Sequence, residues 1–395
     1  MRALFVVHIG ETVGHLVRAL AIADELYLRG VDIEIACSDS GKWLLESWPV
    51  KYKHYSIVWP FSHNSMTSGI PSESMCDSVS TVNEQVIQVL KKEQPEVVIG
   101  CPGIFSVQAS RSLGIKHISI LHGPYLAPVI TLDNQSPIES SVLSFTKSCF
   151  DNCVNHIYKY LSQSLKLVCL TYDEYLRSET IFIPQLFLPL PRFPNFNVVP
   201  FIRASFGPPV EGDGIDLKNA CYITFGSGNP CNIEPIVRIT EAIFSSVIVS
   251  CGFTGLRPSK PTTVCQSFIA SSSLAGQVSA VINHGGIGTV GTFAEFGTPQ
   301  LIIPTEVDQA CMAVHAGRAG IARTLGLNEW ARNPALGRRL LDIPEQEIIK
   351  AVEQLSETPK GNCIDASGAS CISDAIVNKL YETVDSHCKC TTVEA

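Results

Sequence analysis

Short apolar runs alternate with segments of helical periodicity along most of the chain. Residues 4–7 form an apolar run typical of a buried strand, and residues 16–28 place apolar side chains three and four positions apart, as one face of a helix does. Gly30 ends this helix, and residues 31–37 predict the next strand. Because a strand, a helix and a second strand in this order make a β-α-β unit, the pattern predicts a parallel sheet with helices on its faces.

The same alternation continues towards the C-terminus. Predicted strands follow at residues 96–100, 117–121, 167–170, 220–225, 247–251, 264–268, 278–282 and 301–303, and predicted helices at 82–92, 104–113, 140–165, 233–244, 289–296, 310–318, 345–355 and 372–384. The passage 182–206 is interrupted by prolines and is predicted to be an irregular connection. Residues 50–80 show no clear period, which fits either a loop-rich binding region or a surface excursion.

Two domains are expected, because a chain of 395 residues is long for one hydrophobic core. A run of Gly, Pro and Asp predicts a linker at residues 206–218, between an N-terminal domain of residues 1–205 and a C-terminal domain of residues 219–395. Hydrophobic residues make up 45% of the sequence and charged residues 17%, a balance that suits sheets covered by helices. The predicted fold class is α/β, with a doubly wound parallel sheet in each domain.

Charge and cysteine content argue against several classes of function. The net charge is −8 and no run of Lys and Arg occurs, so binding of nucleic acid is not expected. No window reaches the roughly 18 apolar residues of a spanning helix, and the first apolar run is too short for a signal peptide. We therefore expect a cytoplasmic protein without an integral membrane segment, and leave peripheral membrane contact and oligomeric state open. The 15 cysteines lack zinc-site spacing and are predicted to be reduced thiols.

The most informative stretch runs from residue 281 to residue 309. Its strand leads into a sharp turn before a helix, with the sequence His-Gly-Gly-Ile-Gly-Thr at 284–289. Glycines let the backbone approach a ligand closely, and the helix N-terminus presents free N–H groups and the positive end of its dipole. Such a turn binds anions, above all phosphate. Gly-Thr-Pro at 297–299 closes the helix, and Asp308 and Gln309 follow the next strand.

Together these motifs resemble the donor-binding signature of nucleotide-sugar glycosyltransferases of the two-domain GT-B fold. The resemblance is to the UDP-glucosyl/glucuronosyl and antibiotic (macrolide and glycopeptide type) glycosyltransferase family, and more faintly to the peptidoglycan enzyme MurG. It is strong in residues 281–309, moderate in 1–37 and 220–228, and faint elsewhere. It implies two Rossmann-like domains facing each other across a cleft, with the acceptor site in the first, the donor site in the second, and a last helix that packs back on the first domain.

The resemblance also implies the donor-site residues. The diphosphate would be held by His284, Gly286, Gly288, Thr289 and Ser227. Hydroxyls of the transferred sugar would be bound by Asp308 and Gln309, and the ribose and base would lie near Thr292, Phe268 and Ile269. Many members of the family have Glu at the position of Thr292, with Glu295 the nearest carboxylate here, so the nucleotide preference stays open. Purely structural alternatives are a tight turn at Ser227 and a helix cap at Asp308.

On the acceptor side, the turn that ends at His15 resembles the first loop of the same family, where a His or Asp faces the acceptor. His15 is the candidate general base, and a purely structural role in the turn is the alternative. Imidazole suits the role of a general base because its pKa lies near neutrality. The family supports this His with an Asp, but the matching position here is Cys101, and a thiol cannot orient an imidazolium as a carboxylate does. Either another acid such as Glu11 or Asp133 replaces it, or the acceptor is activated differently, or catalysis is impaired. The acceptor-cleft candidates are Glu11, Cys101 and His122, the last equally well explained as a structural imidazole.

The resemblance implies an inverting, metal-independent hexosyltransferase that moves a sugar from a UDP- or TDP-sugar to a small natural product or lipid. No Asp-x-Asp motif occurs in a suitable context, so we expect no metal and no cofactor, with the nucleotide sugar as co-substrate. Two alternatives remain. One is a catalytically impaired auxiliary or sugar-nucleotide-binding protein, which the residues at positions 101 and 292 keep open, and the other is a sugar-nucleotide epimerase.

Overall fold

The computed structural model describes residues 1–8, 14–58, 73–121, 123–126, 133–165, 171–184, 193–203, 207–210, 215–226, 232–250, 256, 258–266, 269–332 and 343–388. Two parallel sheets organise this part of the chain, as the alternation of strands and helices predicts. The central strands of both sheets are buried on both faces, which is why they occur in the sequence as continuous apolar runs, whereas the edge strands are partly exposed.

The first sheet has seven strands among the described residues, in the spatial order β3-β2-β1-β4-β5-β6-β7. They are β1 (Arg2–Val7), β2 (Asp32–Cys37), β3 (Lys53–Ser56), β4 (Val97–Cys101), β5 (Lys116–Ile120), β6 (Thr180–Pro184) and β7 (Phe196–Val199), and every neighbouring pair is parallel. The helices of this half are α1 (Gly14–Leu28), α2 (Lys42–Ser47), α3 (Glu73–Glu93), α4 (Val107–Ser112), α5 (Pro137–Leu165) and α6 (Tyr172–Ser178).

The second sheet has six strands among the described residues, in the order β10-β9-β8-β11-β12-β13, again all parallel. They are β8 (Ala220–Thr224), β9 (Ser246–Ser250), β10 (Thr263–Gln266), β11 (Ala280–Asn283), β12 (Gln300–Ile302) and β13 (Arg323–Thr324). The helices are α7 (Glu234–Ile243), α8 (Ser271–Leu274), α9 (Ile287–Ala294), α10 (Val307–Arg318), α11 (Leu327–Arg332), α12 (Glu345–Ser356) and α13 (Gly368–Cys388).

The prediction of an irregular connection at 182–206 is wrong for residues 182–184 and 196–199, which belong to β6 and β7 and extend the first sheet. Residues 185–192 and 204–206 of this passage lie outside the described part. Ile181, Phe182 and Ile183 are fully buried, so the apolar side chains decide the structure. Pro184 is the last residue of β6 and Pro200 follows β7, positions where a missing N–H costs the sheet little. The predicted strand at 167–170 lies outside the described residues.

The last helix, α13, lies against α1 in the first half of the chain. Ile372 and Ile376 are fully buried in the core that α1 also lines. At the edge of this contact the Arg29 Nε donates to Asp374 Oδ1 at 2.7 Å and Nη2 donates to the Ser370 hydroxyl at 2.8 Å. The predicted domain boundaries stay predictions, since residues 204–206 and 211–214 of the linker lie outside the described part.

A second contact joins the two halves near the start of α10. Val142 on α5 packs with Val307, Ala310 and Val314 on α10 and with Trp330 on α11. The result is that α10, which follows the second sheet, is anchored on a helix of the first half.

The guanidinium of Arg318 lies at one end of this contact between α5 and α10. Arg318 donates to both carboxylate oxygens of Glu139, at 2.8 and 2.9 Å, and to the backbone carbonyls of Asp133 and Asn134, each at 2.8 Å. Asp133, one of the acids considered as a partner for His15, therefore lies beside this clamp.

Candidate functional site

The predicted anion-binding turn connects β11 to α9. Gly286 is the residue before α9, and no side chain caps the helix there. The first bond of the helical ladder runs from the Val290 N–H to the Gly286 carbonyl at 2.9 Å, so the amides of Ile287, Gly288 and Thr289 precede it. Gly288 is exposed and Thr289 is partly exposed. Three amides therefore stand at the positive end of the helix dipole before the helical ladder begins, as an anion site requires.

His284 lies next to this helix end with its ring between two glycines. A Cβ added at Gly286 would lie 2.7 Å from His284 Nε2, and one added at Gly226 would lie 3.2 Å from Cε1. The backbone of Gly226 also has φ +79°, a conformation that favours glycine. Both glycines are therefore needed to make room for the imidazole.

The imidazole of His284 is neutral in the folded protein before a donor binds. Its Nδ1 lies 3.4 Å from the Thr224 carbonyl oxygen, which can only accept, so Nδ1 carries the proton. Burial lowers the pKa of His284 below its usual value, and the Thr224 carbonyl and the charge of Asp308 only partly oppose this. Nε2 is left as an acceptor, and it becomes a donor to phosphate only when the ring takes up a second proton.

Asp308 and Gln309 stand in the first turn of α10. Glu306 is the residue before this helix, so Asp308 is not its cap, and its charge reaches both His284 and Tyr125. The Gln309 side chain is buried, and its Oε1 accepts from the Thr305 amide at 3.0 Å and the Thr305 hydroxyl at 2.8 Å. The Gln309 Oε1 is thus engaged inside the protein, and the assignment of Gln309 to a sugar hydroxyl stays a prediction.

The residues predicted near the ribose and base are mostly internal. Thr292 is buried and its hydroxyl donates to the Gly288 carbonyl one turn earlier at 2.8 Å, while Ile269 packs in the core below α9. Glu295 is only partly buried and forms an ion pair with Arg203 at 2.9 Å. Ser227 and Phe268 lie outside the described residues. The assignments of Thr292 and Ile269 stay predictions, with their side chains engaged inside the protein.

On the acceptor side, His15 is partly exposed in the first turn of α1. The Cys101 side chain at the end of β4 is 0% exposed, and its Sγ lies 3.6 Å from the backbone carbonyl oxygen of His15. The thiol therefore touches the main chain below the imidazole and does not line an open cleft. Burial raises the pKa of the Cys101 thiol, which keeps it neutral. Glu11 and His122, the other cleft candidates, lie outside the described residues.

Sequence reasoning missed Tyr125 and Arg18, which surround this point. The Tyr125 ring lies edge-on to His15 with centroids 6.1 Å apart and to Phe150 at 5.0 Å. Arg18 is buried on α1, and its charge acts on the Cys101 thiol. Arg18 could have been noticed, because it is a single Arg inside the apolar face of α1. The sequence around Tyr125 contains no pattern that predicts its contact with His15.

Among the residues that the structure describes, no three His, Cys, Asp or Glu side chains are grouped closely enough to hold a metal ion. In the same part of the chain no helix is both long and apolar enough to cross a membrane. The expectation that the protein needs no metal stays a prediction.

Solved structures to which this chain is similar include glycosyltransferases. The glycotransferase of kitacinnamycin is 15% identical, with 96% of this chain and 99% of that chain covered and a TM-score of 0.68. SsfS6 of Streptomyces sp. SF2575, complexed with thymidine diphosphate, is 14% identical, with coverage of 96% and 99% and a TM-score of 0.61. The spinosyn rhamnosyltransferase SpnG, complexed with spinosyn aglycone, is 15% identical, with coverage of 98% and 100% and a TM-score of 0.60.

No family model matches the sequence, and neither does any curated protein sequence. At sequence identities of 14–15%, the similarity of the structures supports the assignment of the fold alone. With two parallel sheets matched over nearly the whole length of both chains, the protein has the α/β, two-domain GT-B fold that its sequence resembles.

Proposed function

We propose that the protein transfers a sugar from a nucleotide-diphosphate sugar to a small-molecule acceptor. The single observation that carries this proposal is the donor turn: a buried His284 beside three uncapped amides of α9, with Asp308 at the start of the next helix. A diphosphate at the helix N-terminus would be stabilised as it leaves, without a metal. Asp308 and the Gln309 amide would orient the sugar hydroxyls.

A TDP-sugar is the donor to test first, with UDP-sugars second. Thymidine diphosphate is bound in SsfS6, whose fold matches over nearly the whole chain. The acceptor class follows by the same argument from SpnG, which binds a spinosyn aglycone, so we propose an apolar natural-product aglycone here. His15 would remove the proton of the acceptor hydroxyl, and attack from the face opposite the diphosphate would invert the anomeric centre.

A second function, donor binding without catalysis, is favoured by one observation. Cys101 occupies the position of the acid that supports the general base, and its thiol is buried against the main chain of His15. A protein of this kind would bind the nucleotide sugar and serve as the auxiliary subunit of an active enzyme.

The experiment is a mass-spectrometric assay of the protein with TDP- and UDP-sugars and a panel of aglycones. Transfer predicts loss of donor, release of nucleoside diphosphate and a glycosylated product, which NMR would show as inverted at the anomeric carbon. A donor that binds but is never consumed supports the auxiliary protein. A donor converted to another sugar nucleotide in the absence of acceptor supports an epimerase instead.

A further inference from the structure

Two buried amide side chains lie directly behind the donor turn. Asn283, the last residue of β11, is 0% exposed, and Gln300, the first residue of β12, is 2% exposed. Asn283 Oδ1 accepts the N–H of Gly285 at 2.8 Å, and its Nδ2 donates to Gln300 Oε1 at 3.1 Å. Gln300 Nε2 in turn donates to the backbone carbonyl oxygen of Val290, in α9, at 2.9 Å.

The two ends of this relay fix the orientation of both amides. The Gly285 N–H can only donate and the Val290 carbonyl can only accept, so Asn283 must present its oxygen to the first and Gln300 its nitrogen to the second. If either amide turned over, like atoms would face each other in a buried site, and each unmatched group there is costly. The relay therefore has one arrangement, and it connects the strand end, the turn and the helix.

The opposite side of the turn is packed as tightly. Gly285 has φ +93°, and a Cβ there would lie 2.9 Å from Ile302 Cγ2 and 3.0 Å from the Gln309 carbonyl oxygen. The turn is thus held between β12 and α10 on one side and the amide relay on the other. A small rotation of α9 would change where its first three amides point.

We propose that Asn283 and Gln300 are positioning residues of the donor site. They do not touch the nucleotide. They hold the turn and the first residues of α9 so that the amides of Ile287, Gly288 and Thr289 converge on one diphosphate. This inference rests on the proposed function, because it assigns the relay a task in binding the same donor.

The experiment measures the affinity for TDP-glucose and UDP-glucose by calorimetry, for the parent, Gln300→Met and Gln300→Glu. Gln300→Met keeps the length of the side chain and loses both hydrogen bonds, so the affinity should fall about tenfold, which equals about 1.4 kcal/mol. Asn83→Ala is the matched control. Asn83 is also 0% exposed and donates to a backbone carbonyl, that of Val79 at 3.3 Å, but it lies on α3 in the first half. It should lower the melting temperature and leave the affinity unchanged.

Gln300→Glu supplies a rescue that depends on pH. A protonated carboxyl at this position can accept from Asn283 and donate its O–H to the Val290 carbonyl, whereas an ionised one can only accept. Burial favours the protonated form. Relative to the parent at each pH, its affinity should be near that of the parent in acid and fall as pH rises, while that of Gln300→Met stays low throughout.

The outcomes separate this inference from the function on which it rests. A parent that binds neither nucleotide sugar overturns the proposed function and the inference with it. A parent that binds, with both Gln300 variants unchanged in affinity at every pH, overturns the inference alone. If Gln300→Met does not fold, the pH profile of Gln300→Glu decides, because an affinity ratio that does not vary with pH contradicts the relay.

Discussion

The proposed donor side, residues 283–309, and the proposed acceptor side around His15 are built in different ways. The donor side comes almost entirely from one stretch of sequence, residues 283–309, in which each turn and helix start is fixed by hydrogen bonds to a neighbour in the chain. The acceptor side brings together His15, Arg18, Cys101 and Tyr125 from three separate segments. A contiguous motif carries its own geometry, whereas a dispersed site depends on the packing of the whole domain.

The sharpest test of this contrast is His15→Ala, which should remove the acceptor chemistry and leave the donor side intact. We expect the rate of sugar transfer to fall about 10²- to 10⁴-fold, because that is the usual contribution of a general base. Affinity for the nucleotide sugar should not change. His54→Ala is the control, since His54 lies in β3 with its Nε2 near the Cys37 carbonyl at 3.2 Å. Turnover retained by His15→Ala would place the base elsewhere.

Acid should disturb the first domain through Glu179, the residue that precedes β6. Its carboxylate is bonded to the buried His117 at 3.2 Å and to Arg111 Nε at 2.9 Å. Burial alone would raise the pKa of Glu179, but the bonds from His117 and Arg111 outweigh it and lower the pKa. A lowered pKa means that this contribution is complete above the unfolded pKa of about 4.3 and is lost as pH falls through the folded value.

Glu179→Gln should therefore lower the free energy of unfolding by about 2 kcal/mol at neutral pH, because it removes the carboxylate to which His117 and Arg111 are bonded. Denaturant unfolding at about pH 7 and about pH 3.5 measures this, and the difference from the parent should shrink in acid. A difference that is the same at both pH values would show that Glu179 is not ionised in the folded protein.

Gly286→Ala should lower the affinity for the nucleotide sugar without changing the acceptor side. The new methyl would lie 2.7 Å from His284 Nε2, so the imidazole must move from its bond to the Thr224 carbonyl. We expect donor affinity to fall about tenfold, about 1.4 kcal/mol, measured by calorimetry. Gly14→Ala is the control, since a Cβ at Gly14 has nothing within 4 Å. Equal affinities for the two variants would mean that the His284 ring does not contact the donor.

The smallest expected effect is a pH dependence of donor binding. Because burial keeps His284 neutral with its proton on Nδ1, Nε2 can donate to a phosphate only after the ring gains a proton. Binding of the diphosphate should therefore take up a proton, and affinity should fall with rising pH by at most about tenfold per unit. A nucleotide sugar is the right probe, because its diphosphate does not titrate near neutral pH. In His284→Gln, whose amide donates at any pH, the slope should disappear.

The sequence predicts the local structure of residues 281–309 better than the packing around His15, for a physical reason. A helix start after a glycine turn is a local structure, so the spacing predicts β11, the turn and α9, and the structure has all three. The roles of His284, Gly286 and Asp308 come from the family resemblance and stay predictions. The strands β6 and β7 were missed because prolines dominate the passage, while the buried apolar residues that set the structure are few.

Tertiary contacts explain the remaining omissions. Tyr125 contacts His15 because two segments that are distant in the sequence pack together. No spacing in the sequence predicts this contact. Asn283 and Gln300 were overlooked because a polar side chain inside a strand is informative only when its partner is known. The position of Cys101 at a strand end could be predicted, but its burial under the main chain of His15 could not.

The most direct test of the account is calorimetric titration of the parent and of His284→Ala with TDP, UDP and GDP, without added metal. We expect micromolar binding of one of these nucleotides to the parent, in the range of about −8 kcal/mol, and a loss of affinity of at least about tenfold in the variant. Binding of none of them to the parent, or equal affinity in His284→Ala, would contradict the claim that the turn at 284–289 holds a donor diphosphate.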